Sequence, residues 1–338
     1  MAGKLVVATG ISGCGRKEYL ENWQHLCREK EKKTKVYHVG QMLFDQAKKA
    51  KVYITPENVL NTNPYVLAAL RSGVFETIFA SLEKDLEEYD AVVLSIHSFF
   101  YWKKVFSRAY DHFYLGKFNP DMFICFIDNS KYILEKLVNR EQWRSQDLTE
   151  QEILYWQNIE VETTGSLAEL KEKKFFVLSV GQPTETLYNL VFEPDIEPVY
   201  VNIPITHLAE KKDQDKAKAF IKKLGEYFVV FNPLTIETGA VDLRHEEDKT
   251  IHQQTVNRDL YWLLRQSKKN IAYFPKIVFS PGVINEVREA YETNKEAWII
   301  YPAAESSPFL DYFSTRIFRS EKEFFEFLDE YKASKKKQ

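Results

Sequence analysis

Ser280-Pro-Gly-Val-Ile-Asn-Glu286 sets a Ser/Gly turn six residues ahead of a lone Glu, at what reads as the start of a helix. Backbone N–H groups at a helix N-terminus hold phosphate, so Ser280, Gly282 and Val283 are candidate phosphate contacts. Glu286, one turn inside the helix, can reach the sugar of the same ligand, and Arg258-Asp259-Leu260 upstream supplies a second carboxylate. Near the other end of the chain, Gly10-Ile-Ser-Gly-Cys-Gly15-Arg16-Lys17 carries the G-x-x-x-x-G frame of a phosphate loop. Its glycines let the backbone from Gly10 through Ser12, Gly13, Cys14 and Gly15 curl around phosphate oxygens. The motif's lysine is Arg16 here, and the hydroxyl residue that would hold Mg²⁺ is Lys17. Arg16 can neutralise phosphate charge with a planar fork rather than a point charge, and a protonated Lys17 cannot ligate a metal.

The elements that position these groups alternate. Leu5–Thr9, Lys35–Val39, Ala91–Ile96, Met122–Ile127 and Lys174–Val180 read as strands. Several are continuously apolar, which suits parallel strands buried on both faces. Helical patterns lie between them, such as Ser72–Glu88 and Ser130–Val138. Glu193-Pro-Asp-Ile-Glu-Pro198 reads as a linker, after which the pattern restarts. Strands are expected at Val199–Ile203, Tyr227–Phe231, Asn270–Phe274 and Ala297–Tyr301. Helices are expected at Asp213–Gly225, Ile251–Ser267, from Val283, and at Glu321–Tyr331. The fold class is α/β, as two tandem doubly wound domains: a front domain over 1–192, a linker over 193–198, a back domain over 199–332 and a basic tail over 333–338.

A chain of 338 residues is long for one core, which also favours two domains. A net charge of −3 gives no reason to expect nucleic-acid binding. Cys14, Cys27 and Cys125 have neither metal spacing nor even pairing, so no metal centre is expected and a reducing cytoplasm is. No signal-peptide pattern opens the sequence, and no apolar run approaches the roughly 18 residues that span a bilayer. The expectation is a cytoplasmic protein with small-molecule nucleotide partners and no membrane partner.

The front half, through Val6-Val-Ala-Thr-Gly-Ile-Ser-Gly-Cys-Gly, Tyr37-His-Val-Gly-Gln-Met and Asn119-Pro-Asp-Met-Phe-Ile, resembles the archaeal-type adenylate kinases and related P-loop nucleotide kinases. The resemblance implies lid arginines, with Arg140 and Arg144 as candidates, and ATP with Mg²⁺ as the ligands of a kinase-competent front domain. The family's Mg²⁺-organising Asp falls where this chain has Ser95. With Lys17 in the loop, two metal-organising positions are altered together. The expectation is a domain that binds a nucleotide and phosphorylates poorly or not at all.

The back half resembles the nucleoside 2-deoxyribosyltransferase superfamily, nearest its deoxynucleoside 5′-monophosphate N-glycosidase branch. The resemblance is carried by Tyr200-Val-Asn-Ile-Pro-Ile-Thr206, by Arg258-Asp-Leu-Tyr-Trp-Leu-Leu264 and above all by Ser280-Pro-Gly-Val-Ile-Asn-Glu286-Val-Arg-Glu-Ala290. It implies that Glu286 is the nucleophile at C1′ and Asp259 the second carboxylate. Tyr200 would sit at the site, and Ser280, Gly282 and Val283 would hold the 5′-phosphate, with no cofactor required. Thr206 stands where that branch has a phosphate-binding Arg. The Asp259-to-Glu286 spacing is about three residues longer, which suits a larger ligand such as a di- or triphosphate or NAD. Relatives of this kind share active sites between protomers, so a homo-oligomer is expected.

Each residue also has a purely structural reading. Glu286 could serve the helix dipole, Asp259 a solvated helix face, Ser280 a plain N-cap and Tyr200 the core. His97 reads as a packing histidine, His207 and His245 as surface residues, and Phe99-Phe-Tyr-Trp102 and Phe324-Phe-Glu-Phe327 as core or interface aromatics. The function expected is cleavage or exchange of the N-glycosidic bond of a (deoxy)nucleotide, beside a nucleotide-binding front domain that is a weak kinase or a sensor. The alternatives are an active nucleoside monophosphate kinase with a non-catalytic back half, a non-enzymatic nucleotide sensor, and a stress or defence effector that depletes nucleotides or NAD.

Overall fold

The computed structural model describes residues 2–208, 210–236, 253–254 and 256–335. The side chain of Thr206, all of His245, three residues of the Ile251–Ser267 stretch (251, 252 and 255) and the last three residues of the basic tail lie outside them. The chain divides into two compact units, Met1–Val191 and Phe192–Gln338. Each is a mixed α/β unit built on a five-stranded parallel sheet.

The first unit contains β1 (Lys4–Thr9), β2 (Thr34–His38), β3 (Ala91–Ser95), β4 (Phe99–Trp102), β5 (Val105–Arg108), β6 (Met122–Ile127) and β7 (Lys174–Ser179). Its sheet runs β2-β3-β1-β6-β7, every pair parallel. The strand order reverses around β1, so the carboxyl ends of β1 and its neighbours form the edge where such sheets bind ligands. Strands β3 and β6 are buried along their whole length, as continuous apolar runs require.

The sequence did not announce β4 and β5. Phe99-Phe-Tyr-Trp102 is half-buried and pairs antiparallel with β5. The tight turn between them is made by Lys103 and Lys104, both with left-handed backbone at φ 51° and 62°. Hairpin turns of this kind usually advertise themselves with Asn-Gly or Gly, and two lysines do not. The helix Pro64–Glu88 starts eight residues before the expected Ser72, because Asn63 caps it and Pro64 fits its first turn. That length also makes it long and apolar enough to cross a membrane by composition, against the expectation that no apolar run reaches that length. Its Leu70, Val74, Phe75, Ile78 and Leu82 are buried, with Val74, Phe75, Ile78 and Leu82 packing with Leu5, Val7, Val92 and Leu94 of the sheet.

The second unit contains β8 (Pro198–Asn202), β9 (Val229–Phe231), β10 (Lys269–Tyr273), β11 (Glu296–Ile300) and β12 (Arg316–Phe318), in the order β12-β11-β10-β8-β9. All pairs are parallel. The chain leaves β8 toward β9 and then returns to β10 on the other side, so the switch point lies between β8 and β10. Alternation along β8 sends Val199 and Val201 into one core with Phe220, Ile271, Trp298 and Phe324. Phe324 and Phe325 are therefore core residues of the helix Glu321–Lys335. Tyr200 and Asn202 face the opposite side, beside Asn270 and Ala272 of β10.

Candidate active site

The helix Pro281–Glu292 begins two residues before the expected Val283, because Pro281 fits its first turn. Ser280 caps it, its Oγ accepting from the Val283 N–H at 3.5 Å, and Pro281 occupies the first helical turn. The helix follows β10 and runs back along the sheet, so its N-terminus lies at the carboxyl edge of the strands and Glu286 lies deeper. A Cβ at Gly282 would meet nothing within 4 Å, so packing does not require glycine there. The Val283 N–H is engaged by Ser280, which leaves it less available to a phosphate than the sequence reading assumed.

Glu286 and Tyr200 come together across 86 positions of sequence. The Tyr200 hydroxyl donates to Glu286 Oε1 at 2.8 Å, and Tyr200 itself is fully buried. The Asn270 amide donates to the Glu286 backbone carbonyl at 3.2 Å, fixing the helix against β10. Asp259 opens a π-helical stretch, Asp259–Leu264, and is buried, with the Arg258 Nε donating to its Oδ1 at 3.2 Å. A π-turn widens the helix locally and re-aims its side chains. Burial first, and the negative charge of Asp259 second, push the Glu286 carboxyl up to about 8, while the Tyr200 hydrogen bond pulls the other way. Glu286 as a residue is half-buried, and its carboxyl is closely surrounded by protein atoms. Two carboxyls and a tyrosine hydroxyl are thus near neighbours, an arrangement suited to nucleophilic and proton-transfer chemistry.

Two polar side chains in this region were not singled out from sequence. Asn202 is fully buried, and neither atom of its carboxamide has a hydrogen-bond partner among the described residues. Asn270 Oδ1 likewise has none. The only sequence signal was an Asn within the apolar strand Val199-Tyr-Val-Asn-Ile203, in step with Tyr200.

In the first unit the phosphate loop has its expected strand before and helix after, with Gly10, Gly13 and Gly15 at φ 150°, 82° and 83°. Gly15 caps the helix Arg16–Glu29. Arg16 is buried and points inward. It donates to the Gly10 carbonyl at 2.6 Å and to Ser95 Oγ at 3.0 Å, and one of its terminal nitrogens lies 3.4 Å from His97 Nε2. His97 Nδ1 lies 2.7 Å from the same carbonyl, and burial with the Arg16 charge holds its pKa well below the usual value. The ring is therefore neutral, with Nδ1–H donating to Gly10.

Glu160, which the sequence reading did not single out, is fully buried. Its carboxylate accepts from the N–H groups of Gly10 at 3.0 Å, Ser98 at 2.7 Å and Phe99 at 2.9 Å. Lys17 is exposed beside Glu21 at 3.8 Å, Ser12 and Gly13 lie partly exposed or enclosed within the loop, and Cys14 is buried. Burial pushes the Cys14 thiol up to about 11. Arg140 and Arg144 are exposed, Arg140 at the N-cap of the short helix Glu141–Arg144 and Arg144 its last residue; the Arg140 charge reaches His97. Among the described residues no group of three or more His, Cys, Asp and Glu gathers as a metal site.

No family model and no curated protein matches the sequence. A solved CMP N-glycosidase from Clostridium botulinum is similar over 40% of this chain and 99% of its own, at 18% identity and a TM-score of 0.26.

Proposed function

We propose that the second unit cleaves or exchanges the N-glycosidic bond of a nucleotide or deoxynucleotide, with Glu286 as the group that meets C1′. The observation that carries this reading is the 2.8 Å bond from the Tyr200 hydroxyl to Glu286 Oε1, in an enclosure that also holds Asp259. Breaking the C1′–N bond leaves its electrons with the base and builds positive charge on C1′. A carboxylate at that carbon stabilises the cation and can capture it as a glycosyl ester, which water or a second base then resolves. Burial disfavours a lone charge on Glu286. The cation forming at C1′ supplies the missing partner where the dielectric is low and the attraction strongest. Asp259 is the second carboxylate, orienting the sugar or managing the proton that the departing base takes up.

The test is a chromatographic screen for free base released from ribo- and deoxyribonucleoside mono-, di- and triphosphates and NAD, with wild type beside Glu286→Gln. Base release that the substitution abolishes is expected. Silence from every substrate, with or without ATP, would sink the reading. As nucleophile, Glu286 must be ionised, so kcat/KM should rise with pH through about 8. A fall over the same window would instead assign it the role of acid.

For the first unit, we infer that the loop holds a nucleotide without transferring its phosphoryl group. The strand, glycine loop and helix support the holding, and Arg16 supports the lack of transfer, because its guanidinium is committed inward to Gly10, Ser95 and His97 rather than free to neutralise phosphate as the sequence suggests. Brisk formation of ADP from AMP and MgATP would overturn this.

A further inference from the structure

Asn202 is a polar side chain in an unusual position for one with only a structural role. It is fully buried, and its carboxamide has no hydrogen-bond partner on either atom among the described residues. Leaving a donor and an acceptor both unmet in a protein interior is unfavourable, and natural cores avoid it except where a ligand or ordered water completes the bonds. Its place in the fold says which. Asn202 ends β8 at the switch point of the second sheet, on the same face as Tyr200, about 7 Å farther toward the carboxyl edge at the usual strand rise. Its neighbour on β10 is Ala272, which fills little of the space beside it.

The direction from Tyr200 to Asn202 parallels the direction from Glu286 to the capping Ser280. On the helix these two are separated by about 9 Å. A nucleotide with C1′ at Glu286 and its 5′-phosphate toward Ser280 must lay its furanose along that interval. We propose that Asn202 is a specificity-determining residue whose carboxamide hydrogen-bonds a furanose hydroxyl of the substrate. The chemistry fits this better than it fits phosphate. A hydroxyl is donor and acceptor at once and can satisfy both Asn202 atoms, whereas a phosphate oxygen only accepts and would leave Oδ1 unmet. This inference rests on the N-glycosidic reading of the site.

The experiment compares wild type, Asn202→Leu and Asn202→Ser as full chains, Leu being nearly isosteric and Ser smaller. The probes are AMP, CMP, GMP and UMP with their 2′-deoxy and 3′-deoxy counterparts. Base release is read as kcat/KM, and ribose 5-phosphate binding is read as a shift in Tm. Without ligand, Asn202→Leu is expected to melt at or above wild type, because it removes an unmet buried carboxamide. It should lose at least about tenfold in kcat/KM on the preferred monophosphate, but less than about threefold on the counterpart that lacks the hydroxyl being read. Equal loss on all probes, or no loss, with wild-type release still dependent on Glu286, overturns the role of Asn202 and leaves the glycosidase reading standing. No base release from wild type, with a ribose 5-phosphate shift that Asn202→Leu abolishes, supports the Asn202 contact and removes the glycosidase reading. Neither release nor shift overturns both.

Discussion

Glu286 holds its proton to about pH 8 in the folded chain and would release it near 4.5 when unfolded. Between those values the folded state binds the extra proton, so this group's contribution to stability falls as pH rises through that window. Glu286→Gln carries no charge at any pH. It is expected to raise the free energy of unfolding, and with it Tm, little at about pH 5 and most at about pH 9, where the gain is on the order of a few kcal/mol. Differential scanning calorimetry across that range checks it, and a gain that shrinks with pH would contradict the enclosure of the carboxyl. Tyr200→Phe removes the donor that favours the carboxylate. The rising limb of the pH–rate profile should then move upward, lowering kcat/KM at about pH 7 by roughly tenfold; a shift downward would show that the hydroxyl works otherwise. At this scale Glu286 and Tyr200 were legible, because a carboxylate behind a capped Ser/Gly turn and a tyrosine in an apolar strand are local patterns. Glu160 was not. It sits in the helix Glu150–Leu170, 150 positions from the Gly10 N–H that it accepts, and nothing local to it betrays three backbone donors gathered from elsewhere.

Elements translate these residues into position. Ser280 is both the cap of the Pro281–Glu292 helix and a proposed phosphate contact, and the two roles separate experimentally. Ser280→Ala should lower stability by about 1 kcal/mol through the lost cap. If the helix end also receives a 5′-phosphate, KM should rise for nucleoside monophosphates and stay level for unphosphorylated nucleosides; parallel changes for both would leave only the cap. In the first unit, a Cβ at Gly10 would lie 2.8 Å from the Phe126 carbonyl and 2.9 Å from Cys14 Sγ, at a φ of 150°. Gly10→Ala must therefore push the loop off the sheet. A loss of about 3 kcal/mol or more is expected, measured by urea denaturation, and a neutral result would mean the loop is far more pliable than its bonds imply. Most strands and helices could be read because parallel strands buried on both faces and capped amphipathic helices leave periodic signals. The β4–β5 hairpin could not, since its turn uses two lysines, and β12 could not, since Arg316-Ile-Phe318 has only two apolar residues where the equally short β9 lies in a run of apolar ones.

Over the whole molecule, each unit has its own sheet, its own apolar core and its own candidate site. In the second unit Tyr200, Asp259 and Glu286 come from a single chain. If protomers assemble as the resemblance implies, mixing Glu286→Gln with Asp259→Asn chains should restore no activity, as followed by base release after co-refolding; recovery would mean that the two carboxyls meet across chains. The strand order carries one more consequence, for synthesis. β1 lies between β3 and β6, so its second neighbour is complete only at Ile127. At ribosomal speeds of about 5–20 residues per second, Leu5-Val-Val-Ala8 waits on the order of ten seconds for its last partner. The most central strand of the first unit is thus among the earliest made and among the last enclosed, and in that interval a chaperone has its opportunity.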